Sequence, residues 1–175
     1  MNKTYLDNAA TTKVSNAVFE AMKPYFVSSF GNASEPHQWG QQAWKAVSQS
    51  RQTVADFLGT KPTEIIFTSC ATESINLSHK GLIESQKSKV KSQKLPHIIT
   101  TQIEHKAVLE TCKHLEKLGW AEVTYLPVDK YGLVSPKDIE AAIRPETVLV
   151  SVMSVNNEVG TIEPIAEIGK MLKTY

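Results

Sequence analysis

A chain of 175 residues with 41% hydrophobic side chains can bury the core of one ordinary domain, or of a large piece of one. Nineteen basic against eighteen acidic side chains give a net charge of +1, without the electrostatic footprint of a dedicated nucleic-acid or membrane-surface binder. Two cysteines, Cys70 and Cys112, stand far apart in no CxxC pair, so neither a disulfide framework nor a zinc or other metal site is indicated, and a reducing cytoplasm is expected.

The start, Met1 to Asp7, has a lysine but no following apolar stretch, and nowhere do eighteen apolar residues run together. The expectation is no signal peptide and no membrane span. No repeat or low-complexity tract marks an internal boundary. Lys87, Lys89, Lys91 and Lys94, with intervening serines and a glutamine, read as a solvated loop.

From about Gly40 the hydrophobic pattern alternates between two periods. Ala43, Trp44, Val47, Val54, Ala55 and Leu58 recur at helical spacing and Gly59 closes the helix, whose apolar face is expected to pack inward. Glu64 to Thr68 is short, β-branched and flanked by polar residues, which predicts a buried strand leading into a helix over 69–85. His97 to Thr101 predicts the next strand, followed by a helix with Val108, Cys112 and Leu115 on one face and Gly119 at its end. A strand over 122–126 precedes Ser135-Pro136-Lys137-Asp138, a helix start with a cap, a first-turn proline and an acid three residues after the cap. The fourth apolar run, Val148 to Met153, precedes a loop and a last helix carrying Ile165, Ile168 and Leu172. Such alternation predicts an α/β fold with a mostly parallel sheet and helices on both faces.

Sheets of this kind bind ligands at the carboxyl ends of their strands, which singles out three loops. Thr68 to Glu73 enters a helix with small and hydroxyl residues beside backbone N–H groups, which suits a phosphate or equally a simple helix cap; the chain has neither GxGxxG nor GxxxxGK[ST]. Gln102 to Lys106 puts His105 at the mouth of the sheet, able to stack on a planar ring, to move a proton, or merely to cap. Ser154 to Gly160 offers the adjacent amides Asn156 and Asn157 towards one crevice, or a tight turn.

Together these segments resemble the cysteine desulfurase branch of the class V aminotransferases, of the nitrogen-fixation and iron–sulfur-cluster type. The resemblance runs through Tyr5 to Thr12, Gly31-Asn32 to His37 and Gly40, Phe67 to Ser69 with Ala71-Thr72-Glu73, Glu104 to Val108, and Val155 to Gly160. It implies pyridoxal 5'-phosphate as cofactor, with Ala71 and Thr72 at its phosphate, His105 stacked on the ring and aiding proton transfer, and Asn157 near the ring hydroxyl. Asn8, Ala9, Ala10, Thr11, Asn32 and His37 match segments lining the substrate side. Residues 1–20 then reach towards the small domain. Asn32-Ala33-Ser34-Glu35-Pro36-His37 departs from the family pattern.

The family reaction takes sulfur from L-cysteine, leaving L-alanine and an enzyme persulfide that feeds a sulfur-acceptor protein, in a homodimer. It also needs an aspartate at the ring nitrogen, a Schiff-base lysine and a nucleophilic loop cysteine, all of which the family carries beyond the helix that here ends near Lys173. Residues 1–175 therefore read as the N-terminal portion of a class V aminotransferase domain, inactive alone. Cys70 is on the wrong segment for the nucleophile, and Cys112 falls on an apolar helix face as a core residue. The readings left open are a truncated desulfurase, a non-catalytic or split-enzyme binding module, and another class V aminotransferase or lyase.

Overall fold

The computed structural model describes residues 4–89 and 94–175. These form two compact units, divided between Phe67 and Thr68, where composition alone marks no boundary.

The second unit is a three-stranded parallel sheet of β1 (His97–Thr101), β2 (Glu122–Leu126) and β3 (Thr147–Ser151), in the order β2-β1-β3. Side chains on a strand alternate between faces, so Ile98 and Ile99, both fully buried, point to opposite sides. Ile98 packs with Ile83 of α3 (Ala71–Lys89) and with Val108, Cys112 and Leu115 of α4 (Lys106–Lys117). Ile99 packs with Ile139 of α5 (Pro136–Ala142) and Ile168 of α6 (Ile165–Leu172). The expected α/β architecture, a parallel sheet covered by helices on both faces, is thus present. Each buried isoleucine contributes about 1.5–3 kcal/mol to it.

His97 ties the amino-terminal edge of the sheet. Its Nδ1 meets Thr147 Oγ1 and its Nε2 meets Thr124 Oγ1, each at 2.8 Å, so one buried imidazole bridges all three strands. The Arg144 N–H already donates to Thr147 Oγ1, leaving that hydroxyl's proton for Nδ1 and the imidazole proton on Nε2, facing Thr124. Burial, then Arg144, holds the His97 pKa below the ordinary value of 6.5.

Several boundaries differ from the sequence reading. Residues 65–68 form no strand; Ile65 is extended, but no ladder partner exists for it among the described residues, and Ile66 is 70% exposed. Among the described residues three strands, not four, make the sheet. Helix α3 continues to Lys89, so Lys87 and Lys89 belong to a helix and not to a loop, while Lys91 lies outside the described residues. Lys94 pairs with Glu146 at 2.7 Å. Ser135 stands at the N-cap of α5 with Pro136 at the first turn, yet its hydroxyl makes no capping bond.

The first unit holds α1 (Asn16–Val27) and α2 (Gln38–Leu58). Gly59 ends α2 with φ 65°, the left-handed conformation that glycine adopts without penalty. The apolar face expected to pack inward does not: Trp44 and Leu58 are each 61% exposed, and Ala55 is the one buried apolar side chain of α2. Helix α1, which the sequence reading passed over, buries no residue. Its signal was available in the Ser15 cap, which accepts the Val18 N–H at 3.4 Å, ahead of Val18, Phe19, Met22 and Phe26.

Candidate functional site

All three strands are parallel, so the loops after them leave from one edge of the sheet. The connection from β1 through α4 leads to β2 on one side, and the connection through α5 returns across β1 to β3 on the other. The edge between β1 and β3 is therefore a topological switch point, where sheets of this type place ligands.

The loop after β1 is held from three directions. Gln102 N–H donates to the Leu126 carbonyl of β2 at 3.0 Å. The Ile103 carbonyl accepts the Asn156 side-chain amide at 3.2 Å. The Glu104 carboxylate, 8% exposed, accepts the Met153 N–H just past β3. Burial pushes the Glu104 carboxyl above the ordinary carboxylate range, and the backbone N–H groups of Met153 and His105 oppose that shift.

His105 follows directly, exposed at the N-cap of α4, where its Nδ1 accepts the Ala107 N–H at 3.1 Å. That bond makes Nδ1 the acceptor, so the neutral ring carries its proton on Nε2. Capping and function are thus compatible here: the cap fixes the ring and leaves Nε2 as the nitrogen available for proton exchange.

The loop after β3 separates two amides that are equivalent in the sequence. Asn156 is buried, and its Oδ1 accepts the N–H groups of Glu158 and Val159 at 2.9 and 3.1 Å while its Nδ2 reaches Ile103. It is a structural staple and is used up internally. Asn157 is exposed and touches Glu158 at 3.1 Å through its Nδ2, leaving its carbonyl oxygen to solvent. Of the two amides, Asn156 is spent on the tight turn and Asn157 alone is exposed.

The start of α3 lies in the same unit, and Ile75, one turn in, packs on the Ile98 cluster. Ala71 and Thr72 occupy its exposed first turn, and among the described residues the Ala71 N–H and the Thr72 hydroxyl have no hydrogen-bond partner. Glu73 is drawn back to Ser69, whose N–H and hydroxyl each donate to it at 2.6 Å. That hold lowers the Glu73 pKa and keeps its charge off the open N–H and hydroxyl groups. A helix start with free N–H and hydroxyl donors fits a phosphate group.

Cys70, exposed just before α3, has its thiol pKa lowered by the Glu73 backbone N–H and the Ser69 hydroxyl. Cys112 is fully buried in the Ile98 cluster, and burial pushes its thiol up to about 12. It is the core residue expected. Among the described residues no group of three or more His, Cys, Asp or Glu side chains is placed to hold a metal ion, and no helix is long and apolar enough to cross a membrane.

The remaining candidates lie in the first unit. Asn8, Ala9, Ala10 and Thr11 form an exposed turn, in which the Ala10 N–H donates to the Asp7 carbonyl at 3.3 Å. Asn32 Oδ1 accepts the Ser34 N–H at 3.0 Å, and His37 caps α2 by accepting the Gly40 N–H on Nδ1 at 3.2 Å. Gly40 is obligatory there, because a Cβ would lie 2.1 Å from the Glu35 carbonyl oxygen. Two residues escaped the sequence reading: Glu104, quoted only as part of a motif, and Glu163, 4% exposed, which accepts the Val134 N–H at 3.0 Å. Carboxylates before a histidine or a proline carry no sequence signal of burial.

Comparison with known proteins bears on what this edge serves. The family model for class-V aminotransferases matches residues 4–175. The cysteine desulfurase IscS of Dictyoglomus turgidum is 49% identical over 99% of this chain and 42% of its own length. The human cysteine desulfurase is 49% identical over 95% of this chain and 35% of its own length. Among solved structures, SspA in complex with cysteine superposes with TM-score 0.91 at 44% identity, covering 98% of this chain and 48% of that one. A NifS-like protein superposes with TM-score 0.88 at 42% identity, covering 95% and 44%. The chain spans less than half the length of these relatives. With a parallel sheet covered by helices, and a family match that runs over nearly every residue, the chain belongs to the class-V aminotransferase family and is similar to cysteine desulfurases.

Proposed function

We propose that this chain forms the N-terminal section of a pyridoxal-phosphate-dependent cysteine desulfurase acting on L-cysteine and delivering its sulfur to an acceptor protein. The observation that carries the reading is the gathering of two family motifs, Glu104 to Val108 and Val155 to Gly160, at the switch-point edge through the Ile103–Asn156 and Glu104–Met153 hydrogen bonds. Half-identity to cysteine desulfurases over almost the whole chain supports it.

In this reading the Ala71 N–H and the Thr72 hydroxyl hold the cofactor phosphate at the start of α3. His105 lies on the ring with its orientation fixed by the α4 cap, and exchanges protons through Nε2. Asn157 donates to, or accepts from, the ring hydroxyl. Asn8 to Thr11, Asn32 and His37 serve the substrate side. When bound, pyridoxal phosphate supplies an electron sink for bond breaking at the substrate. The complete enzyme is a cytoplasmic homodimer.

The test is to co-express this chain with a segment corresponding to the remaining length of the Dictyoglomus turgidum relative and to assay L-cysteine-dependent sulfide, with a dithiol present to reduce the persulfide. The pair should release sulfide, this chain alone should not, and His105→Ala in the pair should abolish release. Sustained, cofactor-dependent sulfide from this chain alone, or a folded and cofactor-loaded pair that yields none, would overturn the reading. A second reading, a non-catalytic module completed by a partner, is favoured by the exposed apolar side chains of α1 and α2, Phe19, Phe26 and Trp44 among them. It predicts stable assembly of the pair without turnover.

A further inference from the structure

We infer that Glu104 is a positioning residue for His105: its buried carboxylate couples the placement of the imidazole to the loop that leaves β3. Three observations carry this. Glu104 is 8% exposed, and an ionisable carboxyl is expensive to bury unless its oxygens are used. Its carboxylate is used across the switch point, where it accepts the Met153 N–H just past β3. The next carbonyl upstream, that of Ile103, is also taken by the loop after β3, through Asn156 at 3.2 Å.

The consequence is mechanical. Two consecutive residues before His105 are tied to one loop, and the residue itself is tied forward to α4 through Nδ1. The imidazole therefore cannot shift without breaking a bond at Met153, at Asn156 or at Ala107. A carboxylate suits this task better than an amide, because either of its oxygens accepts the Met153 N–H, whereas glutamine offers one accepting oxygen and an NH2 that donates.

The inference rests on the cofactor reading above for its functional meaning, and its test separates the two. Binding of pyridoxal phosphate to the 175-residue chain is followed by absorbance for the wild type, Glu104→Ala, Glu104→Gln, His105→Ala and the Ala/Ala double variant. Glu104→Ala should weaken binding about tenfold, Glu104→Gln less, and the double variant should bind no worse than His105→Ala. Losses that multiply in the double variant would overturn the coupling. The tautomer of the His105 ring is read independently by nitrogen NMR without cofactor. In the wild type Nδ1 should be the unprotonated nitrogen. Glu104→Gln, which keeps one acceptor and should fold, should shift the His105 ring signals while those of His97 stay in place. Unmoved His105 signals would contradict the inference even if the cofactor binds. Absence of binding by the wild type, with the ring signals shifted as expected, would refute the cofactor reading and leave the positioning role standing.

Discussion

The Asn156 side-chain amide donates to the Ile103 carbonyl at 3.2 Å, two residues before His105, so the loop after β3 holds the loop after β1. Asn157, its neighbour, is exposed and makes no such tie. Replacing the two should therefore have opposite signatures. Asn156→Ala removes bonds to Ile103, Glu158 and Val159 and should cost about 2–3 kcal/mol, because a buried side chain and three part-buried hydrogen bonds are lost together. Asn157→Ala should leave the melt unchanged and alter only cofactor affinity. Chemical denaturation alongside a pyridoxal phosphate titration checks both. Equal effects on stability would contradict the division of roles.

His105 serves two tasks that substitution can separate. Asparagine at this position can still cap α4 but cannot stack on a ring. His105→Ala should lose about 1 kcal/mol of stability together with cofactor affinity, whereas His105→Asn should recover the stability and not the affinity. Thermal melts and absorbance titrations read the two quantities. Full affinity in either variant would remove His105 from the site.

Much of this arrangement was legible in the sequence, and the reasons it was not entirely so are specific. Strands β1, β2 and β3 are short apolar runs whose period and flanking polar residues identify them. Residues 65–68 have the same composition, but a strand exists only where a neighbouring strand supplies its hydrogen bonds, and none does among the described residues. The inward face expected of α2 failed for a similar reason: periodicity shows which side is apolar and not whether anything covers it. At the site, position after a strand pointed to His105 and to the Asn156–Asn157 pair, and the family resemblance singled out Asn157. The distinction between Asn156 and Asn157, and the burial of Glu104, depend on where the loop after β3 turns back, through the bridge between Val155 and Ile162.

The two cysteines should differ sharply towards a thiol reagent at neutral pH. Cys70 is exposed, and its pKa is lowered by the Glu73 N–H and the Ser69 hydroxyl, while burial pushes Cys112 up to about 12. One thiol should react rapidly in the native chain and the second only on unfolding. Cys70→Ser should abolish the rapid phase. Rapid reaction of both would contradict the burial of Cys112 between α4 and the sheet.

Acid should weaken the sheet through His97, helped by His79, whose pKa burial also lowers. Both have folded pKa values below the ordinary 6.5, so the unfolded chain binds more protons in mild acid. The stability they contribute is present above that value and is lost as pH falls through the folded pKa. Denaturation midpoints should fall between about pH 8 and about pH 5, and His97→Gln should flatten part of that fall. A midpoint that rises over the same interval would contradict a neutral, buried His97.

The most direct test of the account is equilibrium dialysis of the 175-residue chain against pyridoxal phosphate, with inorganic phosphate as competitor. Binding should saturate at one equivalent, be weakened by phosphate, and be abolished when Thr72 and His105 are both replaced by alanine. Binding that does not saturate, or that survives the double replacement, would contradict the assignment of the start of α3 and the cap of α4 to the cofactor.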